Sequence, residues 1–143
     1  MPGLAVQTLP GAGIANIRGV DEGEADIGFG NSISSVDGIN GAPPYPQKVT
    51  KVCQVANLYP QYFQMVALAN AGVNSVADMK GKAIAVQPKG NTAELISQHI
   101  LKSAGLGYDS AKVSFVNSYT DAASMLKDGH AQVFTLGTTI PAS

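Results

Sequence analysis

The chain has 143 residues, of which 45% are hydrophobic and 13% are charged, and its formal net charge is −1. This composition is typical of a globular protein with one domain or two small lobes. The basic residues are scattered and Arg18 is the only arginine, so we expect no binding to nucleic acid. The longest apolar run, at 65–69, is too short to span a membrane.

The first half of the sequence predicts four strands and one helix. The strands are at 4–8, 25–30, 52–58 and 63–69, and the helix is at 11–22. Within the helix, Ile14, Ile17 and Val20 recur every three residues, and Gly23 follows as a typical stop signal. Residues 31–51 are rich in glycine and proline, which predicts a loop with room for a short helix.

The second half of the sequence alternates strands with helices. It predicts strands at 83–86, 113–116 and 133–136, a helical turn at 75–81, and helices at 91–104 and 120–127. Ser75 with Asp78, and Asn91 with Glu94, have the spacing of a capping box at a helix start. Strands that alternate with helices predict a parallel sheet and an α/β fold.

A short internal similarity relates the two halves. In each half a helix stops at a glycine, Gly23 or Gly129, and a strand then runs into a turn of small polar residues. Taken at face value, this similarity predicts two lobes of related construction, with chance similarity as the alternative.

Glycine, hydroxyl and amide residues cluster after the carboxyl ends of the predicted strands, where open parallel sheets bind their ligands. Helix N-termini at these ends suit a carboxylate or another anion. Any single cluster is equally compatible with an ordinary cap or turn, whereas the whole set on two lobes favours binding. Lys89, the only charge in these loops, either neutralises an acidic solute or points to water. The candidate ligand-binding residues are Thr8, Gly11, Ala12, Gly13, Asn16, Asn31, Ser32, Tyr59, Gln61, Lys89, Gly90, Asn91, Thr92, Tyr119, Gly137 and Thr138.

Catalytic and metal sites have little support in the sequence. His99 and His130 lack metal-ligand spacing to another His, Cys or carboxylate, and no nucleophile stands beside a base. Residues 11–13 match part of a dinucleotide fingerprint, but Asn16 stands where the third glycine is required. The lone Cys53 is interpreted as a small buried hydrophobe. We therefore expect no enzyme activity, catalytic residue, cofactor or metal, and an enzyme on the same architecture is the alternative.

Several segments of the sequence resemble the corresponding segments of the TAXI-type solute receptors of TRAP transporters. They lie at 7–18, 22–29, 58–60, 76–82 and 90–94, and they extend over essentially the whole chain. The resemblance implies a type II periplasmic-binding-protein fold with two α/β lobes, residues 1–70 and 71–143, and a hinge near 63–73. It further implies that a small organic solute, often a carboxylate or an amino acid, is captured between the lobes and delivered to TRAP permease membrane subunits. The parts that face the solute in this family correspond to 11–13, 31–32 and 90–92.

The chain departs from that family in two loops and at its ends. The family often has Gly-Gly-Ser where this chain has Gly-Ala-Gly at 11–13. It often has Gly-Ser-Gly-Thr-Glu where this chain has Gly-Asn-Thr-Ala-Glu at 90–94. These differences leave the identity of the solute open. Family members are longer and begin with a signal peptide, which is not found here. We therefore expect a periplasmic full-length protein of which both lobes are incomplete in this chain. Uncovered strand edges then predict self-association or marginal stability, and a fragment that binds no small molecule is an alternative function.

Overall fold

The computed structural model describes residue 3 and residues 5–140. The chain divides into two compact units, Met1–Val52 and Cys53–Ser143. The first unit holds two helices, α1 (Gly13–Glu22) and α2 (Ser32–Asn40). The second holds, in chain order, β1 (Tyr62–Ala67), β2 (Ala83–Val86), α3 (Thr92–Ser103), β3 (Lys112–Phe115), α4 (Tyr119–Lys127) and β4 (Val133–Thr138), with 3-10 turns at Ala69–Ala71 and Val76–Met79. No helix among the described residues is long and apolar enough to cross a membrane.

Helix α1 confirms the predicted helix, although it begins two residues later than expected. Its N-cap, Ala12, is extended, with φ −143° and ψ 160°, so residues 11 and 12 precede the helix. The helix ends at Gly23, whose φ of +81° lies in the left-handed region that a residue without a side chain adopts at low cost. Ile14 and Ile17 are buried, as their spacing predicts.

Three of the predicted strands, at 4–8, 25–30 and 52–58, are wrong. Residue 4 lies outside the described residues, and the remaining residues of these segments form no strand. A strand is held by ladder hydrogen bonds to a neighbour, and within the described part of the chain these segments have no such neighbour. Their apolar side chains therefore stay exposed, as Ile27 shows with 82% of its surface accessible. Cys53 is also exposed, which corrects its interpretation as a buried hydrophobe.

Helix α2 is the short helix for which the predicted loop at 31–51 leaves room. It contains a glycine, Gly38, which disfavours a helix by propensity alone. The reason for glycine there is close packing, because a Cβ at that position would lie 3.1 Å from Val49 Cγ2 and 3.3 Å from the ring of Tyr45. Tertiary packing of the following segment against α2 thus overrides the local propensity.

The second unit is built on a four-stranded mixed sheet with the order β1-β4-β2-β3. Strands β3 and β4 both run parallel to β2, whereas β1 pairs antiparallel with β4. The parallel part confirms the predicted α/β construction. The first residue of β1, Tyr62, is the partner of Thr138 at the end of β4, so the start of β1 lies at the carboxyl edge of the three parallel strands.

Two apolar clusters pack on the second unit's sheet, and successive strand residues alternate between them. Ala85 of β2 packs with Ala122 and Leu126 of α4. Its neighbours Ile84 and Val86 pack with Leu101 of α3. Because side chains of a strand point alternately to opposite faces, α3 and α4 cover opposite faces of the sheet.

The division of the chain at residue 52 differs from the predicted lobe limits. Strand β1, which overlaps the segment predicted as a hinge at 63–73, belongs to the sheet of the second unit. The assignment of residues 1–70 and 71–143 to two lobes of a longer receptor stays a prediction.

Candidate functional site

In the first unit, the starts of both helices follow extended residues. The N-caps are Ala12 for α1 and Asn31 for α2, and neither makes a side-chain capping hydrogen bond to its helix. The first backbone N–H groups of a helix carry the positive end of its dipole and suit an anion. The predicted site residues Ala12, Gly13, Asn31 and Ser32 therefore lie at the two helix starts of this unit.

Asn16 joins the start of α1 to the segment that leads into α2. Its side-chain nitrogen donates a hydrogen bond of 2.8 Å to the backbone oxygen of Phe29. Its Oδ1 occupies the space that a side chain at Gly11 would fill, because a Cβ there would lie 1.8 Å from this atom. Gly30 lies against Ile17 of α1 in the same way, because a Cβ at Gly30 would lie 3.1 Å from Ile17 Cδ1. The structure thus brings Gly11 and Asn16 next to residues 28–30, while the described contacts do not join Thr8 to this group.

In the second unit, loops and helix starts meet at the carboxyl edge of the parallel strands. Strands β2, β3 and β4 end there, and α3 and α4 begin there. Asn91 Oδ1 accepts the Ala93 N–H at 2.9 Å, and Ser118 Oγ accepts the Asp121 N–H at 3.0 Å, so both helices have side-chain caps. The cap predicted at Asn91 is confirmed, and its side-chain oxygen is engaged with the helix.

The predicted capping role of Glu94 is wrong. Its side chain is 4% exposed and is turned into the unit, where it accepts hydrogen bonds from the Tyr108 hydroxyl at 3.0 Å and from the side chain of Gln98. Burial raises the pKa of Tyr108 well above its usual value, and the nearby carboxylate adds to the effect. Glu94 therefore stabilises the packing of α3 rather than its start.

Tyr119 and Gly137 are brought together at the carboxyl edge. The Tyr119 hydroxyl donates a hydrogen bond of 2.7 Å to the backbone oxygen of Gly137, and its ring lies 6.1 Å from that of Phe134. Burial raises the pKa of the Tyr119 hydroxyl, with the neighbouring Tyr59 as a smaller cause. Two candidate residues, Tyr119 and Gly137, are thus in contact although 18 residues apart in sequence.

The remaining candidates lie around the same edge with different degrees of exposure. The Lys89 ammonium lies 5.4 Å from the centre of the Phe115 ring, at the end of β3. Gly90 has a φ of +87°, which explains glycine in the turn before α3. Thr92 is buried, with 3% of its surface accessible, whereas Gln61 is exposed. Thr138 ends β4 beside Tyr62.

A cleft of about 300 Å³ opens at this edge and is lined by Gln87, Asn117, Ser118 and Tyr119. Of these residues only Tyr119 is among the predicted ligand-binding residues. Gln87 is 4% exposed, and its side-chain nitrogen has no hydrogen-bond partner among the described residues. The signal that could have found it is a polar residue directly after β2, whose last three residues are fully buried.

Comparison with known sequences decides the family. The sequence profile of the NMT1-like family matches residues 4–143. The chain belongs to the NMT1-like family.

Solved structures similar to this NMT1-like chain are solute-binding proteins. The alkanesulfonate-binding protein SsuA from Xanthomonas axonopodis pv. citri is 21% identical with a TM-score of 0.54, over 87% of this chain and 41% of that one. A putative periplasmic sulfonate-binding SsuA from Methylobacillus flagellatus is 31% identical with a TM-score of 0.46, over 54% and 22%. Holo ArgBP from T. maritima is 28% identical with a TM-score of 0.38, over 54% and 30%. The NMT1-like chain spans less than half the length of each of them.

The similarity to these structures confirms the expected fold class. The Xanthomonas structure shows the fold of the NMT1-like chain, a mixed α/β fragment of the type II periplasmic-binding-protein kind. The three similar proteins are each named as binding proteins. Assignment to the TAXI type stays a prediction, as does each individual ligand contact.

Proposed function

We propose that this NMT1-like chain is part of a receptor that binds a small organic solute with an acidic group, such as a carboxylate or an amino acid. The observation that carries this proposal is the cleft of about 300 Å³ at the carboxyl edge of the second unit's sheet. Clefts of this size suit small molecules, and this edge is where open parallel sheets bind their ligands.

The charge and hydrogen-bonding groups at the edge support an acidic solute. Helix α4 starts in the wall of the cleft, with its first N–H groups and positive dipole end at Tyr119. Lys89, held over Phe115, adds a positive charge to the same edge. The Xanthomonas relative is named as an alkanesulfonate-binding protein and is bound to MOPS, which places sulfonates beside carboxylates among the solutes to test.

The receptor proposal includes closure of two lobes. A solute that contacts both lobes of the full-length receptor binds the closed state more tightly than the open one and so shifts the population towards closure. A periplasmic receptor of this kind delivers its solute to a membrane permease, and the resemblance to TAXI receptors favours permease subunits of the TRAP type.

Thermal-shift screening tests solute binding directly. Solutes that bind only the folded chain stabilise it and so raise its melting temperature. At a concentration 100 times the dissociation constant, the free energy of unfolding rises by about 2.7 kcal/mol. We expect shifts from amino acids, dicarboxylates or sulfonates, and none from sugars or polyamines. No shift from any acid supports the fragment alternative, whereas chemical turnover of a bound solute supports an enzyme.

The permease and the oligomeric state need separate measurements. Uptake by vesicles that carry the cognate permease and the full-length receptor should require an ion gradient and no ATP. Uptake that requires ATP instead contradicts the TRAP proposal but leaves solute binding intact. Sedimentation of the 143-residue chain at several concentrations tests the predicted self-association, which a constant monomer mass contradicts.

A further inference from the structure

Gln87 occupies the centre of the carboxyl edge. It directly follows Val86, the last residue of β2, and β2 has parallel neighbours on both sides. The Val116 N–H donates to Val86 O at 2.9 Å, so the backbone is held in register up to this point. The backbone position of Gln87 at the cleft is therefore set by the sheet.

The side-chain amide of Gln87 is buried in the second unit with an unpaired hydrogen-bond donor. Its Nε2 atom is buried without a hydrogen-bond partner among the described residues, although the residue is only 4% exposed. Burying an amide donor without a partner costs free energy, so buried donors are nearly always paired. An apolar residue would fit this position at lower cost, and a donor retained at a loss of stability is typical of a functional site.

Two of the other three residues that line the cleft are already engaged in the fold, and the third, Asn117, is exposed. Ser118 Oγ accepts the Asp121 N–H, and the Tyr119 hydroxyl donates to Gly137 O. Asp121, in the first turn of α4, is the carboxylate nearest in sequence to these groups. Gln87 is thus the buried side chain of the cleft whose hydrogen-bond donor is left for a solute.

We propose that Gln87 Nε2 donates a hydrogen bond to an oxygen of the solute's carboxylate or sulfonate, and that this bond selects acids over amines. The inference rests on the proposed function and names the residue and the chemical group. A carboxylate and a sulfonate share the required acceptor oxygens, and both are favoured by the adjacent start of α4.

The test compares two glutamines of the same unit that differ in their partners. Gln87→Met removes the unpaired donor while keeping the side-chain length, so the melting temperature should stay the same or rise. Gln98→Met removes an amide that is bonded to Glu94 on α3, so the melting temperature should fall. Calorimetric titration of the 143-residue chain uses four probes: propionate, ethanesulfonate, propanamide and propylammonium.

We expect Gln87→Met to weaken binding of the acids by about 10- to 100-fold, since a hydrogen bond to a charged group is lost. Gln98→Met should leave those affinities unchanged. The acid that binds the unaltered chain more tightly identifies the headgroup, and either result supports the proposal.

Three outcomes overturn the inference. If Gln87→Met melts lower than the unaltered chain and keeps its affinity for acids, Gln87 is structural. If propylammonium binds more tightly than both acids, the buried amide presents its oxygen. If propanamide binds as well as the acids and Gln87→Met changes nothing, solute binding stands while selection of an acid fails. If no probe and no acid of the thermal-shift screen binds, the proposed function itself fails.

Discussion

The helix starts of the two units differ in how their first N–H groups are satisfied. In the second unit Asn91 and Ser118 cap their helices with side-chain oxygens. In the first unit Ala12 and Asn31 hold the same positions and make no capping bond. A cap and an anion compete for the same N–H groups. In the second unit one N–H group of each helix is therefore bonded to its N-cap side chain, whereas in the first unit the N-cap side chains leave these groups to other acceptors.

Removal of both caps in the second unit is expected to have the largest effect. Loss of one N-cap side chain costs about 1 kcal/mol, so Asn91→Ala combined with Ser118→Ala should lower the free energy of unfolding by about 2 kcal/mol. Urea unfolding followed by circular dichroism measures this change. Asn70→Ala, on an exposed turn at the opposite edge of the sheet, is the matched control and should change little.

If the double variant loses no more stability than this control, the caps do not distinguish the two units. The comparison between capped and uncapped helix starts then fails for the second unit.

A smaller loss is expected where Gly11 meets Asn16 in the first unit. Gly11→Ala places a methyl group on Asn16 Oδ1 and displaces the bond to Phe29 O, which should cost about 1 kcal/mol. Asn16→Ala removes the same bond directly. The double variant should therefore cost no more than either single change, as a double-mutant cycle by urea unfolding will reveal.

Fully additive losses in this cycle contradict the bridging role of Asn16. In that case Gly11 is required for a reason other than the room it leaves for the amide.

Much of the second unit could be predicted from local sequence patterns. Strand β2 has the predicted bounds, and α3 and α4 begin within one residue of their expected starts, because buried apolar runs and cap residues are local signals. The segments at 25–30 and 52–58 have equally apolar patterns but no partner strand. Pairing is a property of distant residues, so alternation alone cannot predict it.

The candidate site was predictable in kind but only partly in detail. Small polar residues after strands predict a ligand site at the carboxyl edges of the strands, and in the second unit a cleft that Tyr119 lines opens at this edge. The buried state of Gln87 depends on neighbours on both sides of β2, and the inward turn of Glu94 depends on Tyr108, fourteen residues away. Such contacts are decided by tertiary packing.

A gain of stability is expected if a cap is supplied in the first unit. Ala12→Ser adds a hydroxyl that can accept an N–H from the first turn of α1, which should raise the free energy of unfolding by about 0.5–1 kcal/mol. Because the new cap competes for the same N–H groups, affinity for a bound acid should fall in the same variant. Urea unfolding and calorimetric titration with propionate measure the two effects.

Ala12→Gly is the control, since it changes the N-cap without adding an acceptor oxygen. A variant Ala12→Ser that is more stable and binds acids unchanged contradicts a solute-binding role for this helix start.

The smallest expected effect concerns the loss of unfolding free energy at acidic pH, to which the two units should contribute alike. The N–H groups of Lys51 and Thr50 donate to Asp21 and lower its pKa, and the Ser75 hydroxyl with two backbone N–H groups does the same for Asp78. Because each pKa is lower in the folded state, the stabilisation is complete above the unfolded value of about 3.9 and is lost as pH falls through the folded value.

Asp21→Asn and Asp78→Asn should therefore each flatten the fall in unfolding free energy below about pH 5, measured by urea unfolding across pH. Asp26→Asn, at an exposed aspartate of the first unit, is the control for the loss of one negative charge. Neither carboxylate is buried, so water competes for the same N–H groups and the slopes should change only slightly. If only one of the two variants alters the slope, acid sensitivity joins helix capping as a difference between the units.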